Sequence, residues 1–386
     1  MPFDFELPDD LVDSVDIVYL DDDEELDNLE DTEIPESGDD IDPPEDKSAF
    51  TFKEHTRSVF CVNLNNDNTL AVTGGEDDLA YVWQTKSGEV LFECTGHKDS
   101  VTAASFSHDG KYVVTGDMGG LIQVWDVANM NLIWCYEGDE LEWLIWHHAA
   151  HVLLAGVQSG EIYMWQIPQG NCKVFPTNGS KCTCGILLPN GTQVAAGYED
   201  GSIRIWDLKS ASIVHQVSNE TTGGAVTGIT CSADGKLMIT CGLVSGALVI
   251  KTADCKVAAH LKGIGSEEIE SAAFCSETDL PIVATGSLNG DVCFWDISRQ
   301  ALRHIACIGY SVTQMVWGPN AMLFVSSVDG VVYVYNGRNG ELLTTLTGHA
   351  SAVLDIKLTK DSQYLMTSSD DGTVKLFDIQ KCCTTS

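Results

Sequence analysis

Basic charge is what this 386-residue chain has least of: 21 Lys and Arg stand against 57 Asp and Glu, for a formal charge of −36 and a pI near 4.3. Phosphate binding needs a basic footprint, so direct nucleic-acid binding is excluded as a primary role. Long apolar runs are also missing. No uninterrupted stretch approaches the roughly 18 residues of a spanning helix, and no basic segment precedes an apolar run at Met1. Neither a membrane span nor a secretory leader is expected, and the chain reads as cytoplasmic, with passage through the nucleus left open. Its 14 Cys are then expected to be reduced and mostly buried in strands such as "VFCV" and "VCFW". Phosphate-binding loops, nucleophile elbows and His-Glu zinc helices are absent, so no catalytic residue, no enzyme activity and no cofactor are expected.

The acid that is present falls in two places. Residues 1–46 hold 21 acids and no Lys or Arg, which leaves 36 acids against 21 bases for the remainder. With Pro35, Pro43, Pro44 and Gly38 among those acids, residues 1–47 are expected to be a disordered acidic tail. That tail either solubilises the chain or draws in basic partners through its field. Residues 48–381 are expected to fold, followed by a short tail over 382–386.

A repeat runs through the folded part. "GHKDSVTAASFSHDGKYVVTGDMGGLIQVWDV" and "GHASAVLDIKLTKDSQYLMTSSDDGTVKLFDI" share a Gly-His, period-2 apolar alternation, two turns and a closing aromatic. That aromatic falls at Trp83, Trp125, Trp165, Trp206, Trp295, Tyr335 and Phe377, with Lys251 in its place in the fifth unit and Ser245 at that unit's turn-Asp position. The spacing of 40 to 45 residues suits four short antiparallel strands per unit. The recurring "GH", "SxDG" and "WD" marks resemble the WD-repeat family over residues 48–381, which implies an all-β propeller. Eight units favour eight blades over seven. Residues 48–59, "SAFTFKEHTRSV", align with an outer strand and loop, and the last unit lacks its outer strand. Phe50 to Phe52 is therefore expected to pair with the final blade and close the ring, leaving no open sheet edge.

In that family a Gly-His histidine, a strand Ser or Thr, a turn Asp and the strand Trp form a hydrogen-bonded tetrad. By position only the first unit matches all four, as His55, Thr73, Asp77 and Trp83. The likeness to a catalytic triad is superficial, and these residues are read as structural. "KCTC" (Cys182, Cys184) and "WHHAAH" (His147, His148, His151) lack the paired spacings of a zinc site, so no metal is expected from them.

Family geometry also projects three positions per unit onto one face of the ring: the residues flanking the first apolar residue of the inner strand, and the residue before the turn Asp. Glu76, Glu140, Glu142, Glu199, Glu268, Glu270 and Asp370 occupy seven of these twenty-four positions, and Lys181 is the one base. Units three and six repeat a Glu-apolar-Glu pattern, with Asp139 and Glu267 alongside. Phe60 and Leu354 add apolar contacts, and alternation assigns Trp143 and Trp146 mainly to the core. Like charges converging on a depression focus the field and call for a basic partner.

The tail together with "SVFCVNL", "LAVTGGEDDLAYVW", "LFECTGHKDSVT", "VVTGDMGGLIQVW" and "GYEDGSIRIWDLK" closely resembles one branch of the WD-repeat family. Some members of that branch escort a newly made, basic protein of the large ribosomal subunit. The resemblance implies a monomeric chaperone that holds the partner's Arg-rich N-terminal segment until ribosome assembly. The alternative is a general scaffold for other basic peptides, such as histone tails or signalling and cell-migration partners.

Overall fold

The computed structural model describes residues 45–177, 179–218, 224–242, 246–261, 268–277 and 280–383. The expected disorder of the tail falls almost wholly on residues 1–44, outside that set, as do Ser245, Glu267 and the last three residues. Among the described residues the strands form eight four-stranded antiparallel sheets. These are the blades of an eight-bladed β-propeller.

The innermost strands are Val59–Leu64, Val101–Phe106, Leu141–Trp146, Cys184–Leu187, Val226–Cys231, Ile269–Phe274, Val312–Trp317 and Val353–Leu358, and they number the blades 1 to 8. Each packs beside the next, and the last returns to the first. The second strands read as near-continuous apolar runs, as in "LAVTGG" and "LMITCG", because neighbouring blades cover both of their faces. Core clusters accordingly lie between blades; one unites Val59, Val62 and Trp83 of blade 1 with Met366, Val374 and Leu376 of blade 8.

The "TG" marks have a steric cause. A Cβ on Gly74 would lie 2.6 Å from Val101 Cγ1, and one on Gly116 would lie 2.5 Å from Leu141 Cδ2. Glycine lets the first inner-strand side chain of the next blade press against the backbone. The expected closure is present: Phe50, Thr51 and Phe52 pair with Leu376, Lys375 and Val374.

Four expectations are corrected. Lys251 does not hold the aromatic position of blade 5: Met238 pairs with Ile250 as Ala71 pairs with Trp83. Buried Ile250 takes the aromatic place and Lys251 points to solvent, because a one-residue slip exchanges the faces of a strand. The expected tetrad of blade 1 is a triad. His55 donates from Nδ1 to Asp77 (3.0 Å) and its Nε2 meets Thr73 Oγ1 at 2.9 Å, but the buried Trp83 Nε1 has no partner. The Trp83 ring instead stacks on Phe52, 4.4 Å between centroids and 8° between planes.

Blade 2, by contrast, completes the tetrad that its sequence hid. His97 Nδ1 donates to Asp117 (3.0 Å), Thr115 donates to His97 Nε2 (2.8 Å) and Trp125 Nε1 donates to Thr115 (3.3 Å). Asp117 stands two residues earlier in the turn than Asp77 does, which is why spacing missed it. The domain ends also move. Lys47 N–H donates to Thr347 O, Thr347 donates to Glu45 O, and the Asp46 carboxylate meets buried Lys375 at 2.6 Å. Residues 45–47 therefore belong to the fold, and a helix over Ile379–Cys383 crosses the expected boundary at 381.

Candidate functional site

Seven of the eight inner strands carry a register shift just after their first pair, at Val59/Cys61, Val101/Ala103, Leu141/Trp143, Val226/Gly228, Ile269/Ser271, Val312/Gln314 and Val353/Asp355. The residue skipped is Phe60, Thr102, Glu142, Thr227, Glu270, Thr313 or Leu354. A bulge leaves one residue unpaired and re-aims its side chain. Projection from sequence found these positions, and the bulge explains why they differ from the strand that follows.

What stands on the bulge decides its use. Thr313 donates to Val353 O of the next blade (2.6 Å), and Thr183, just before the blade 4 strand, donates to Val226 O. Threonine thus ties one blade to the next. Glu142, Glu270, Phe60 and Leu354 lack that short hydroxyl, and all four are half-buried.

The acids do not form one uniform ring. In blade 3, Glu140 is exposed, and Glu142 pairs with Lys181 of blade 4 at 2.8 Å, so the one projected base is already engaged. Asp139 serves its own turn, accepting from Ser159 N–H (2.9 Å) and Glu140 N–H (3.0 Å). In blade 6, Glu268 is exposed, and Glu270 is half-buried with no cation on it among the described residues. Burial, and next the charge of Glu268, push the Glu270 carboxyl above its ordinary value.

Between blades 8 and 1, Glu76 and Asp370 converge on one hydroxyl. Ser58 Oγ lies 2.6 Å from Asp370 Oδ1 and 3.0 Å from Glu76 Oε2, while Arg57 reaches Glu76 at 3.5 Å. One hydroxyl proton serves only one of these carboxylates at a time. Ser58 was projected onto this face from sequence without being singled out. Glu199 is exposed in the blade 4 turn, its N–H bonded to Lys181 O.

Inward from the bulges, a cavity of about 540 Å³ is lined by inner-strand residues of blades 1, 2, 3 and 8, including Glu142, Asp355 and Lys357. Asp355, one residue past the projected Leu354, accepts from Lys357 Nζ (2.7 Å) and Val62 N–H (3.2 Å). Trp143 and Trp146 are core residues whose indole N–H groups donate to Cys182 Sγ (3.3 Å) and Ser105 O (3.2 Å). Burial pushes the Cys182 and Cys184 thiols up to about 12, which leaves "KCTC" without thiolate at neutral pH. No helix of the described residues is long and apolar enough to cross a membrane.

The WD domain, G-beta repeat family matches residues 46–84, 88–126, 171–207 and 340–378. Human angio-associated migratory cell protein is 42% identical over 353 residues, spanning 87% of this chain and 81% of that protein. The chain belongs to the WD-repeat family, in the group of angio-associated migratory cell protein. A more distant WD-repeat relative, ribosome assembly protein SQT1 of Saccharomyces cerevisiae, is 25% identical over 376 residues, covering 85% of this chain and 86% of that one. Among solved WD-repeat structures, Chaetomium thermophilum Sqt1 bound to the N-terminus of the ribosomal protein L10 superposes with a TM-score of 0.78. It is 24% identical, covering 86% of this chain and all of that one.

Proposed function

We propose that this propeller is a non-enzymatic escort for a basic protein of the large ribosomal subunit, acting in the cytoplasm as a monomer and holding the partner's Arg- and Lys-rich N-terminal segment on its acidic face. The observation that carries this reading is Glu270: a half-buried carboxylate, aimed from a bulge, with Glu268 beside it and no cation on Glu270 itself among the described residues. Such a group is costly alone and relieved by a guanidinium, whose fork suits a carboxylate bidentately. Glu140, Glu142 and Glu268 extend the same surface. Glu76, Asp370 and Glu199 add charge around the ring, and Phe60 and Leu354 offer apolar contact for the stems of basic side chains. The relatives that assemble ribosomes or bind a ribosomal N-terminus support the choice of partner.

A nascent ribosomal protein exposes cations meant for RNA phosphate. An acidic face occupies them and blocks aggregation or misplaced RNA binding. Co-expression with the basic ribosomal protein tests this. The propeller is expected to keep it soluble, with binding at least ~10-fold weaker at about 500 mM than at about 50 mM salt. Salt-independent binding, or equal rescue of unrelated Arg-rich proteins, would count against a dedicated escort and favour a general basic-peptide scaffold.

A further inference from the structure

The acidic face lies at the start of the inner strands, and a second polar cluster lies at their far end, about 20 Å away for a six-residue strand. It is built from two turns. Residues 107–111, "SHDGK", follow the inner strand of blade 2, and residues 147–151, "HHAAH", follow that of blade 3. Asp109 Oδ1 accepts from Ser107 Oγ (2.8 Å) and Lys111 N–H (3.1 Å), which fixes the carboxylate and turns Oδ2 toward blade 3. There it meets His151 Nε2 at 2.9 Å.

The His108 ring lies beside the same pair, 5.1 Å from the His151 ring between centroids. One ligand atom each of His108, Asp109 and His151 lies within 4.8 Å of the other two. Tyr112 packs edge-on against the His151 ring, 4.8 Å between centroids. His108 Nδ1 is buried and has no hydrogen-bond partner, an uncompensated state for an imidazole.

The geometry points to a divalent transition-metal site of the zinc class, formed by His108, Asp109 and His151, that staples blade 2 to blade 3 on the side away from the acidic face. Two imidazoles and one carboxylate are the nitrogen and oxygen donors that Zn²⁺, Co²⁺ and Ni²⁺ prefer, whereas Mg²⁺ and Ca²⁺ take oxygen sets. Ligands about 2.1 Å from a tetrahedral ion stand roughly 3.4 Å apart. The pair at 2.9 Å opens slightly, and the widest separation closes by about an ångström and a half. Water takes the fourth position. His147 and His148 stay out of the set, since His147 Nε2 bonds Gly191 O at 2.8 Å and His148 stacks on His147. This assignment is independent of the escort reading.

The test is titration of the full-length, chelator-treated chain with Co²⁺ and then Zn²⁺, followed by absorption and calorimetry. The wild type is expected to bind one equivalent without a thiolate charge-transfer band and to melt at higher temperature when loaded. His108→Gln and His151→Gln should each weaken binding at least ~10-fold, while His148→Gln leaves it unchanged. Circular dichroism of the variants shows that the fold persists. No stoichiometric binding, binding unchanged in the His108→Gln, His151→Gln double variant, or a thiolate band placing the metal on cysteine would each overturn the assignment.

Discussion

Blades 3 and 6 present the same Glu-apolar-Glu motif on the same bulge, yet their inner carboxylates meet different surroundings. Glu142 has Lys181 of the next blade at 2.8 Å, and Glu270 has Glu268 as its electrostatic neighbour and a raised pKa. A partner's guanidinium approaching blade 3 must displace or share an existing cation. At blade 6 it relieves a repulsion. Identical motifs therefore differ in what they contribute, and the difference is set by the blade next door.

The largest expected effect separates the two directly. Glu268→Lys with Glu270→Lys should weaken binding of the ribosomal N-terminal segment about 30- to 100-fold, in line with ~2–3 kcal/mol for a partly desolvated charged hydrogen bond. Glu140→Lys with Glu142→Lys should cost only about 3- to 10-fold, nearer the ~1 kcal/mol of an exposed or already compensated pair. Calorimetry of the two double variants checks this, and equal losses would dissolve the distinction.

Removing the blocking cation should make blade 3 resemble blade 6. Lys181→Met is expected to tighten binding about 3- to 5-fold, read by fluorescence anisotropy of a labelled peptide; weaker binding would mean that Lys181 serves the partner and not Glu142.

Titration gives a smaller signal of fixed sign. A bound cation favours ionised Glu270, so binding releases protons, and affinity falls as pH drops toward the raised Glu270 pKa. Affinity is expected to be lower at about pH 5 than at about pH 7.5 in the wild type. Glu270→Gln should remove that slope, and an unchanged slope would place the titrating group elsewhere.

The smallest effect concerns a bulge used for structure. Thr313→Val deletes the tie to Val353 O and should cost about 1 kcal/mol of stability in chemical denaturation, with peptide affinity unaltered. A change in affinity would extend the binding surface to blade 7.

Much of the fold was legible in the sequence because it is local. The 40- to 45-residue period and the alternation in "GSIRIWDL" follow from short-range patterning, and the likeness of residues 48–59 to an outer strand and loop, with the last unit short of its outer strand, gave the closure by Phe50–Phe52. Misreadings came where one position decided the outcome. The Ile250 register turned on a one-residue slip in a unit without a tryptophan, and the Asp117 tetrad on a carboxylate supplied two residues early.

The candidate site was legible as a set of positions, since the bulge recurs at a fixed place in each unit. Its energetics were not, because the contacts that set them join neighbouring blades. Lys181 lies 39 residues from Glu142, and His151 lies 42 from Asp109. Ser58 and Asp370 are 312 apart and meet only because the ring closes. A pattern read within one repeat carries none of this.

The most direct test is calorimetry of the full-length chain with the ribosomal protein's N-terminal peptide and with a histone tail, beside the variant combining Glu140→Lys, Glu142→Lys, Glu268→Lys and Glu270→Lys. Tight, salt-sensitive binding of the ribosomal peptide alone, lost in the variant, is the predicted result. Binding that survives all four reversals would contradict the placement of the partner on this face, and equal affinity for the histone tail would contradict a dedicated escort.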